Sequence, residues 1–305
     1  MIGLSTAWFT EREAITAQDL VQEIVELGFS AVELEYRVRE TIYREMRPLI
    51  LEEKLKVVSV HNFFPLPDDE PVSKAGGDRF LLSSLEKEER DLAIRMTIRT
   101  MECASDLGAE AVVLHLGKVG MEPENERLED LFYHQRLDTP EGRDFLKAKL
   151  KERSERRTPY LESVYSSLDR LNHVAEKRGI ILGIENRYHY HQIPDFEEIG
   201  LILKRFSGSS IRYWHDIGHA HTLERLRIVE PGSLLRSYGL LSAGIHIHDA
   251  IGTDDHWAPG MGEIDFVGLA DWLRSSPIKI LEVHRKSNRI ELVRGRDILK
   301  RTGIM

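Results

Sequence analysis

The chain has 305 residues, one cysteine (Cys103) and thirteen histidines, and its 42 Lys and Arg against 51 Asp and Glu leave a formal net charge of −9. A single thiol closes no intramolecular disulfide and builds no thiolate metal cluster, so any metal here is held by His, Asp and Glu, and a reducing, cytoplasmic setting is expected. With 41% hydrophobic and 30% charged residues, the sequence is that of a globular protein, and it contains no apolar run near the roughly 18 residues of a membrane span.

Length alone would allow two domains, but a closed α/β barrel commonly takes about 250 residues or more as one unit, so the pattern decides. Eight short β-branched or aliphatic runs, at 2–6, 31–35, 56–61, 111–116, 180–185, 211–216, 244–248 and 278–282, alternate with longer amphipathic stretches. Eight such alternations fit a parallel sheet with right-handed crossovers, and eight is the number that closes. The predicted fold is therefore α/β, a single (β/α)8 TIM barrel domain over 1–305.

In chain order, Thr16, three residues before Asp19, is expected to cap a first helix that carries Leu20, Ile24 and Leu27 and ends at Gly28. Residues 65–77, rich in Pro, Asp and Gly, read as a loop leaving the third strand. After the fourth strand the rhythm breaks. Residues 118–157 form a charged insertion with Lys147, Lys149, Lys151, Arg153, Arg156 and Arg157 near its end, either a lid on the strand-exit side or a solvated helical excursion. Pro159 is expected in the first turn of the next helix, which carries Leu161, Val164, Leu168, Leu171 and Val174 and runs to Gly179.

The polar residues fall at the strand ends. Strand three ends Val60-His61-Asn62, strand four reaches Leu114-His115, and strand five ends Gly183-Ile184-Glu185-Asn186. Strand six gives His215-Asp216-Ile217-Gly218-His219, strand seven Ile245-His246-Ile247-His248-Asp249 and then Asp254-Asp255-His256, and strand eight Leu281-Glu282-Val283-His284. One histidine at a strand end is more often a hydrogen-bonded structural residue than a ligand. Six successive strands that deliver imidazoles and carboxylates to one end of a barrel are a different matter. Glu185, Asp216 and Glu282 in one mouth would repel each other without a cation, and mixed N and O donors without thiolate suit a divalent Zn, Mn, Co or Fe ion. The spacing Asp216-x-x-His219 lets both side chains face one site, and the period of two puts His246 and His248 on one face, with His248 either a ligand or a support for one.

At these residues the sequence resembles the xylose-isomerase-like TIM-barrel superfamily, which contains sugar isomerases and epimerases, inosose-pathway enzymes and endonuclease IV. The likeness spans the whole chain and is carried by Ser59-Val60-His61-Asn62, Ile184-Glu185-Asn186-Arg187, Asp216-Ile217-Gly218-His219, His246-Ile247-His248-Asp249, Gly260-Met261-Gly262-Glu263-Ile264-Asp265-Phe266 and Leu281-Glu282. It implies that Glu185, Asp216, His246 and Glu282 ligate a single metal and that Glu185 and Glu282 are catalytic, moving protons. The endonuclease IV branch uses five further ligands for a three-zinc cluster, and His61, His115, His219, Asp254 and His256 match them. Around them the chain departs from that branch, since His115 continues into Leu116-Gly117-Lys118 and Glu185-Asn186 into Arg187-Tyr188-His189-Tyr190-His191.

Two reactions follow as expectations. The first is a divalent-metal-dependent isomerisation or epimerisation of a small sugar, polyol or keto acid, in which a glutamate abstracts a proton to give a metal-stabilised enediolate and a glutamate returns it. A dehydration would start with the same proton abstraction. Here His61, Arg187, His219 and His248 bind substrate, the Gly260–Gly262 loop lets backbone approach the ligand, and no nucleotide cofactor is needed. The alternative is an endonuclease IV-like phosphodiesterase with a three-metal cluster. The net charge of −9 argues mildly against a nucleic-acid partner. A barrel without chemistry is disfavoured because the four-ligand core is complete, and a homodimer is a further expectation.

Overall fold

The eight short runs are the eight strands of one closed parallel barrel in the computed structural model, which describes residues 1–10 and 15–305. The strands are β1 (Gly3–Ser5), β2 (Ala31–Leu34), β3 (Lys56–His61), β4 (Ala111–Leu114), β5 (Ile181–Glu185), β6 (Ile211–Asp216), β7 (Ser242–Ile247) and β8 (Ile278–Leu281). They follow one another around the barrel in chain order, and β8 pairs back to β1 with Gly3 opposite Ile280. Nearly every strand residue is buried, because side chains on one face fill the barrel while those on the other meet the helices.

The barrel interior is packed by Ala31, Val58, Ala111, Val113, Trp214, Ile278 and Ile280. Trp214 fits because its neighbours are glycines. A Cβ at Gly183 would lie 2.8 Å from its ring, and one at Gly244 only 2.2 Å. The second, larger core lies between barrel and helices, where Leu20, Ile24, Leu168 and Leu171 are fully buried. Among the described residues no helix is long and apolar enough to cross a membrane.

Helix boundaries obey local chemistry where a cap is present. Thr16 accepts the Asp19 N–H at 3.1 Å, the helix Ala17–Glu26 follows, and Gly28 takes φ +79° beyond it. The expectation at Pro159 is overturned: this proline lies inside a 39-residue helix, Pro140–Arg178. The proline of the first turn is Pro140. Thr139 caps it by accepting the Gly142 N–H at 3.3 Å, and Gly179 closes the helix at φ +66°. Thr158, which directly precedes Pro159, lies inside the helix and caps no new one, and the packing of buried Arg153 and Leu161 on either side carries the helix through the proline.

Residues 118–157 accordingly hold the helix Asn125–Tyr133 and the first half of Pro140–Arg178. Their basic run is largely paired within the protein. Arg153 binds Glu198 and Asp195, Arg157 binds Glu197 at 2.6 Å, Arg156 binds Glu152 at 3.1 Å, and Lys149 binds Glu124. Two short antiparallel pairs extend from the strand exits, Gly117–Lys118 with Gln192–Ile193 and Asp249–Ile251 with Asp254–Trp257.

Candidate active site

Trp214 in the barrel interior meets the ring of His246 edge-on, with centroids 5.3 Å apart. His246, near the end of β7, is fully buried and ringed by carboxylates. Its Nδ1 lies 2.6 Å from Glu185 Oε1, 3.0 Å from Glu282 Oε2 and 3.5 Å from Asp216 Oδ2, while Nε2 lies 3.1 Å from Glu33 Oε1. None of these four acids is more than 6% exposed.

Four carboxylates withdrawn from water around one imidazole demand positive charge. Burial alone would drive His246 toward its neutral form, but Glu282, Glu33 and Glu185 outweigh it and push its pKa well above the ordinary imidazole value. Burial alone would likewise raise Glu185 and Asp216. His246 and the hydrogen bonds from His115, His246 and His61 hold Glu185 well below the usual carboxylate range, and His219 and His248 do the same for Asp216. A divalent ion would answer the same demand. Glu185, Asp216, His246 and Glu282 each offer one ligand atom within 4.8 Å of the others, and this oxygen and nitrogen set fits such an ion.

Hydrogen bonds fix the orientation of these groups. Glu33 accepts from His246 Nε2 and from Ser59 Oγ at 2.7 Å, so Nδ1 is the nitrogen turned toward Glu185, Asp216 and Glu282. Asp216 ends β6 and caps the helix Ile217–Arg225. Its Oδ1 accepts the His219 N–H at 2.7 Å, and the helix N-terminus favours its charge. The spacing Asp216-x-x-His219 is therefore a cap that also delivers the His219 ring. His219 Nδ1 donates to the Asn186 carbonyl at 3.0 Å, which leaves Nε2 facing Asp255 at 3.7 Å. Asn186 ties the exits of β5 and β6 together, accepting the Asp216 N–H at 2.8 Å and donating to the Asp216 carbonyl at 2.9 Å. His248 donates from Nε2 to Asp216 at 3.0 Å and accepts the His256 N–H on Nδ1 at 2.8 Å. With both nitrogens engaged, it steadies Asp216.

Three further ligand groups adjoin the first: His61, His115 and Glu185; His219, Asp255 and His256; and His248, His256 and Glu282. All four open on one cavity of about 480 Å³, lined among others by His61, His115, Glu185, Arg187, His219, His256 and Glu282. Tyr36, Tyr188 and Glu129 complete part of its wall, Glu129 being the contribution of the segment 118–157. Arg187, 3% exposed, donates to Glu185 Oε2 at 3.2 Å and to Asp78 Oδ2 at 3.1 Å, and also contacts His115 Nε2. The aromatic run after β5 divides. Residues 187–189 line the cavity, whereas Tyr190 turns away into an apolar cluster with Leu128, Leu131 and Phe145.

Residues 21–302 match the family described as xylose isomerase-like TIM barrel. The chain belongs to that family. Among solved structures of this barrel type, the 3-keto-D-glucoside 4-epimerase of E. coli is 17% identical, with a TM-score of 0.65 over 98% of both chains. D-psicose 3-epimerase of Clostridium cellulolyticum, solved with D-tagatose, is 14% identical, with a TM-score of 0.66 over 98% of both chains. A Thermus thermophilus protein soaked with zinc chloride is 21% identical, with a TM-score of 0.62 over 99% of this chain and 97% of that one. These likenesses show the fold. An uncharacterized protein of Methanocaldococcus jannaschii is 28% identical over 145 residues, 46% of this chain, and the matched region spans about half (48%) of that relative.

Within this xylose isomerase-like barrel, Asp254 stands apart from the other expected ligands. It accepts from Trp257 Nε1 at 2.8 Å and pairs with Lys286 at 2.5 Å outside the cavity, and Asp255 takes the place beside His219 and His256. Strand alternation would put Asp254 and His256 on one face, but His256 adopts φ +56° and breaks that alternation. The Gly260–Gly262 loop also has another role than expected. It does not line the cavity; Gly260, Gly262 and Ile264 donate their N–H groups to the buried carboxylate of Asp249 at 2.8, 2.8 and 3.0 Å. Glu33, Asp78 and Asp255 were not singled out by the sequence. The available signal for Glu33 was an acid inside an otherwise apolar four-residue strand; Asp78 lies in a stretch without periodicity and offered none.

Proposed function

We propose that the barrel is a divalent-metal-dependent isomerase or epimerase of a small sugar, polyol or keto acid. The observation that carries this reading is the pairing of Glu185 and Glu282 on His246 Nδ1, at 2.6 and 3.0 Å, within one cavity of about 480 Å³. Two carboxylates that meet at one point can serve as base and acid on one carbon, and the cavity is of small-molecule size. That solved structures of similar fold include epimerases acting on ketoses and keto-glucosides supports the same reading.

Glu185, Asp216, His246 and Glu282 would hold the ion. When bound, it polarises a substrate carbonyl and acidifies the neighbouring C–H. Glu185 or Glu282 then takes that proton; the same glutamate, now a carboxylic acid, returns it to the adjacent carbon, or the other delivers a proton to the opposite face once it has drawn one from solvent, the first giving its own up to solvent. Both are held ionised at neutral pH, as a base requires: for Glu282 burial alone would raise the pKa, but His246 and His256 outweigh it. His61 and His219 each keep Nδ1 bonded to a main-chain carbonyl, at 3.0 Å in both cases, so Nε2 is the nitrogen offered to a hydroxyl. The segment 118–157 serves as one wall of the substrate space, through Glu129.

The four adjacent, partly overlapping ligand groups favour the phosphodiesterase as the second reading. Against it stand the internal pairing of the basic run and the net charge of −9. Glu185→Gln and Glu282→Gln decide between them. Each should stay folded and lose epimer interconversion by about 10²- to 10⁴-fold. Full turnover in either variant contradicts the proton-transfer role, and cleavage of abasic duplex DNA by the wild type would install the second reading.

A further inference from the structure

We infer that Arg187 is a built-in cation standing where His61, His115 and Glu185 would otherwise bind a second metal ion. Ligand atoms of those three residues lie within 4.8 Å of one another and all three are buried, which is the arrangement of an ion site. Its common point is Glu185 Oε2, which lies 2.8 Å from His115 Nε2 and 3.7 Å from His61 Nε2. Arg187 Nη1 sits at that same point, donating to Glu185 Oε2 at 3.2 Å and touching His115 Nε2. The guanidinium thus meets two of the three atoms that an ion there would have to coordinate.

Its position is fixed from behind. Arg187 Nη2 donates to Asp78 Oδ2 at 3.1 Å, and Gln192 Nε2 holds the same oxygen at 3.2 Å. Gln192 is itself pinned, since its N–H donates to the His189 carbonyl at 3.1 Å and its side chain accepts the His189 N–H at 3.0 Å. His115 is packed against Gly77, where a Cβ would lie 2.4 Å from its Nδ1. Arg187 is 3% exposed, so water screens it little. A guanidinium does not release its proton to make room for a dication, as a lysine or histidine can, and a dication beside it would be repelled at short range. The group of His61, His115 and Glu185 therefore does not fit an ion while Arg187 is in place, although the group around His246 does.

The consequence is chemical. A pair of metal ions bridged by Glu185, needed to clamp both the attacking and the leaving oxygen of a phosphodiester, is not available, and Glu185 keeps one oxygen on His246 and one on a fixed organic cation. This inference rests on the metal reading above only for the ion at the His246 group.

The test is metal counting by atomic emission on the full-length protein, loaded with zinc chloride and dialysed against metal-free buffer. His115→Ala should bind as many zinc equivalents as the wild type, because no ion uses His115. Arg187→Met should bind one more than the wild type, and Arg187→Met combined with His115→Ala should lose that extra ion. A His115→Ala count one below the wild type overturns the inference, as does a folded Arg187→Met protein with an unchanged count. The His115→Ala comparison decides the matter even if Arg187→Met does not fold. Asp216→Ala, which removes a ligand of the His246 group alone, tests the metal reading separately: an undiminished count there would sink that reading and not this one.

Discussion

Glu33→Gln is the substitution that most sharply separates a metal centre from a merely well-packed barrel mouth. Glu33 makes no contact with the cavity, yet it accepts from His246 Nε2 at 3.1 and 3.2 Å and from Ser59 Oγ at 2.7 Å, and it is fully buried. Gln keeps the shape and one acceptor but removes the charge that orients the ring and raises its basicity. A charge-assisted hydrogen bond is worth about 1.5–3 kcal/mol, and outer carboxylates of this kind typically change metal affinity by about 10- to 100-fold, or about 1.4–2.7 kcal/mol. A second effect has the opposite sign. The His246 pKa is pushed above its ordinary value partly by Glu33, so losing Glu33 also weakens the proton that competes with the ion for Nδ1. The deficit should therefore be largest at high pH, where proton competition is least, and shrink as pH falls. Competition against a chromophoric chelator from pH 6 to 9 measures it. Affinity within about twofold of wild type at pH 9, in a protein that unfolds at the wild-type temperature, would refute the reasoning.

Three stability predictions follow from groups outside the reaction. Arg153→Met removes the partner of Glu198, which is fully buried and bonded to Arg153 at 2.7 and 3.0 Å, and should cost about 3–5 kcal/mol in urea unfolding; Arg153→Met with Glu198→Gln should recover part of that, and no recovery would speak against an unpaired charge as the cause. His215 is held down to about 4, chiefly by burial against the opposing pull of Asp216. Below its unfolded value of about 6.5 only the unfolded chain takes the proton, so stability should fall as pH drops, by about 2 kcal/mol from this residue between pH 7.5 and 5. His215→Asn should remove that part of the slope, and an identical slope in the variant would refute it. Asp249→Asn places an amide among the N–H groups of Gly260, Gly262 and Ile264 and should cost about 1–3 kcal/mol. It should also speed amide exchange at 260–264, and unchanged exchange there would show that Asp249 does not organise the loop.

The strands were legible because parallel barrel strands are short, apolar and bounded, and the candidate ligands stood out because each ends such a run. The rule that one end of every strand points to one mouth gathered the strand-end acids and histidines, and the family resemblance singled out Glu185, Asp216, His246 and Glu282 among them. What could not be read depends on backbone detail or distant partners. The left-handed φ of His256 exchanges Asp254 for Asp255, and no periodicity signals that. The helix Pro140–Arg178 passes through Pro159 because packing overrides the local penalty of one proline. Arg153 and Arg157 read as part of a charged insertion, either a lid or a solvated excursion, but their acids, Asp195, Glu197 and Glu198, lie some forty residues along the chain. Asp78 gains its role through Arg187 and Gln192, more than a hundred residues away.

The central claim is proton transfer by Glu185 and Glu282 at a carbon beside a carbonyl, and deuterium exchange tests it most directly. The metal-loaded protein, incubated in D2O with a panel of ketoses and keto acids and followed by NMR, should place deuterium at that carbon in at least one of them. Glu185→Gln and Glu282→Gln should each slow the exchange by about 10²-fold or more. Exchange that proceeds undiminished in both variants, or none with any member of the panel, would contradict the account.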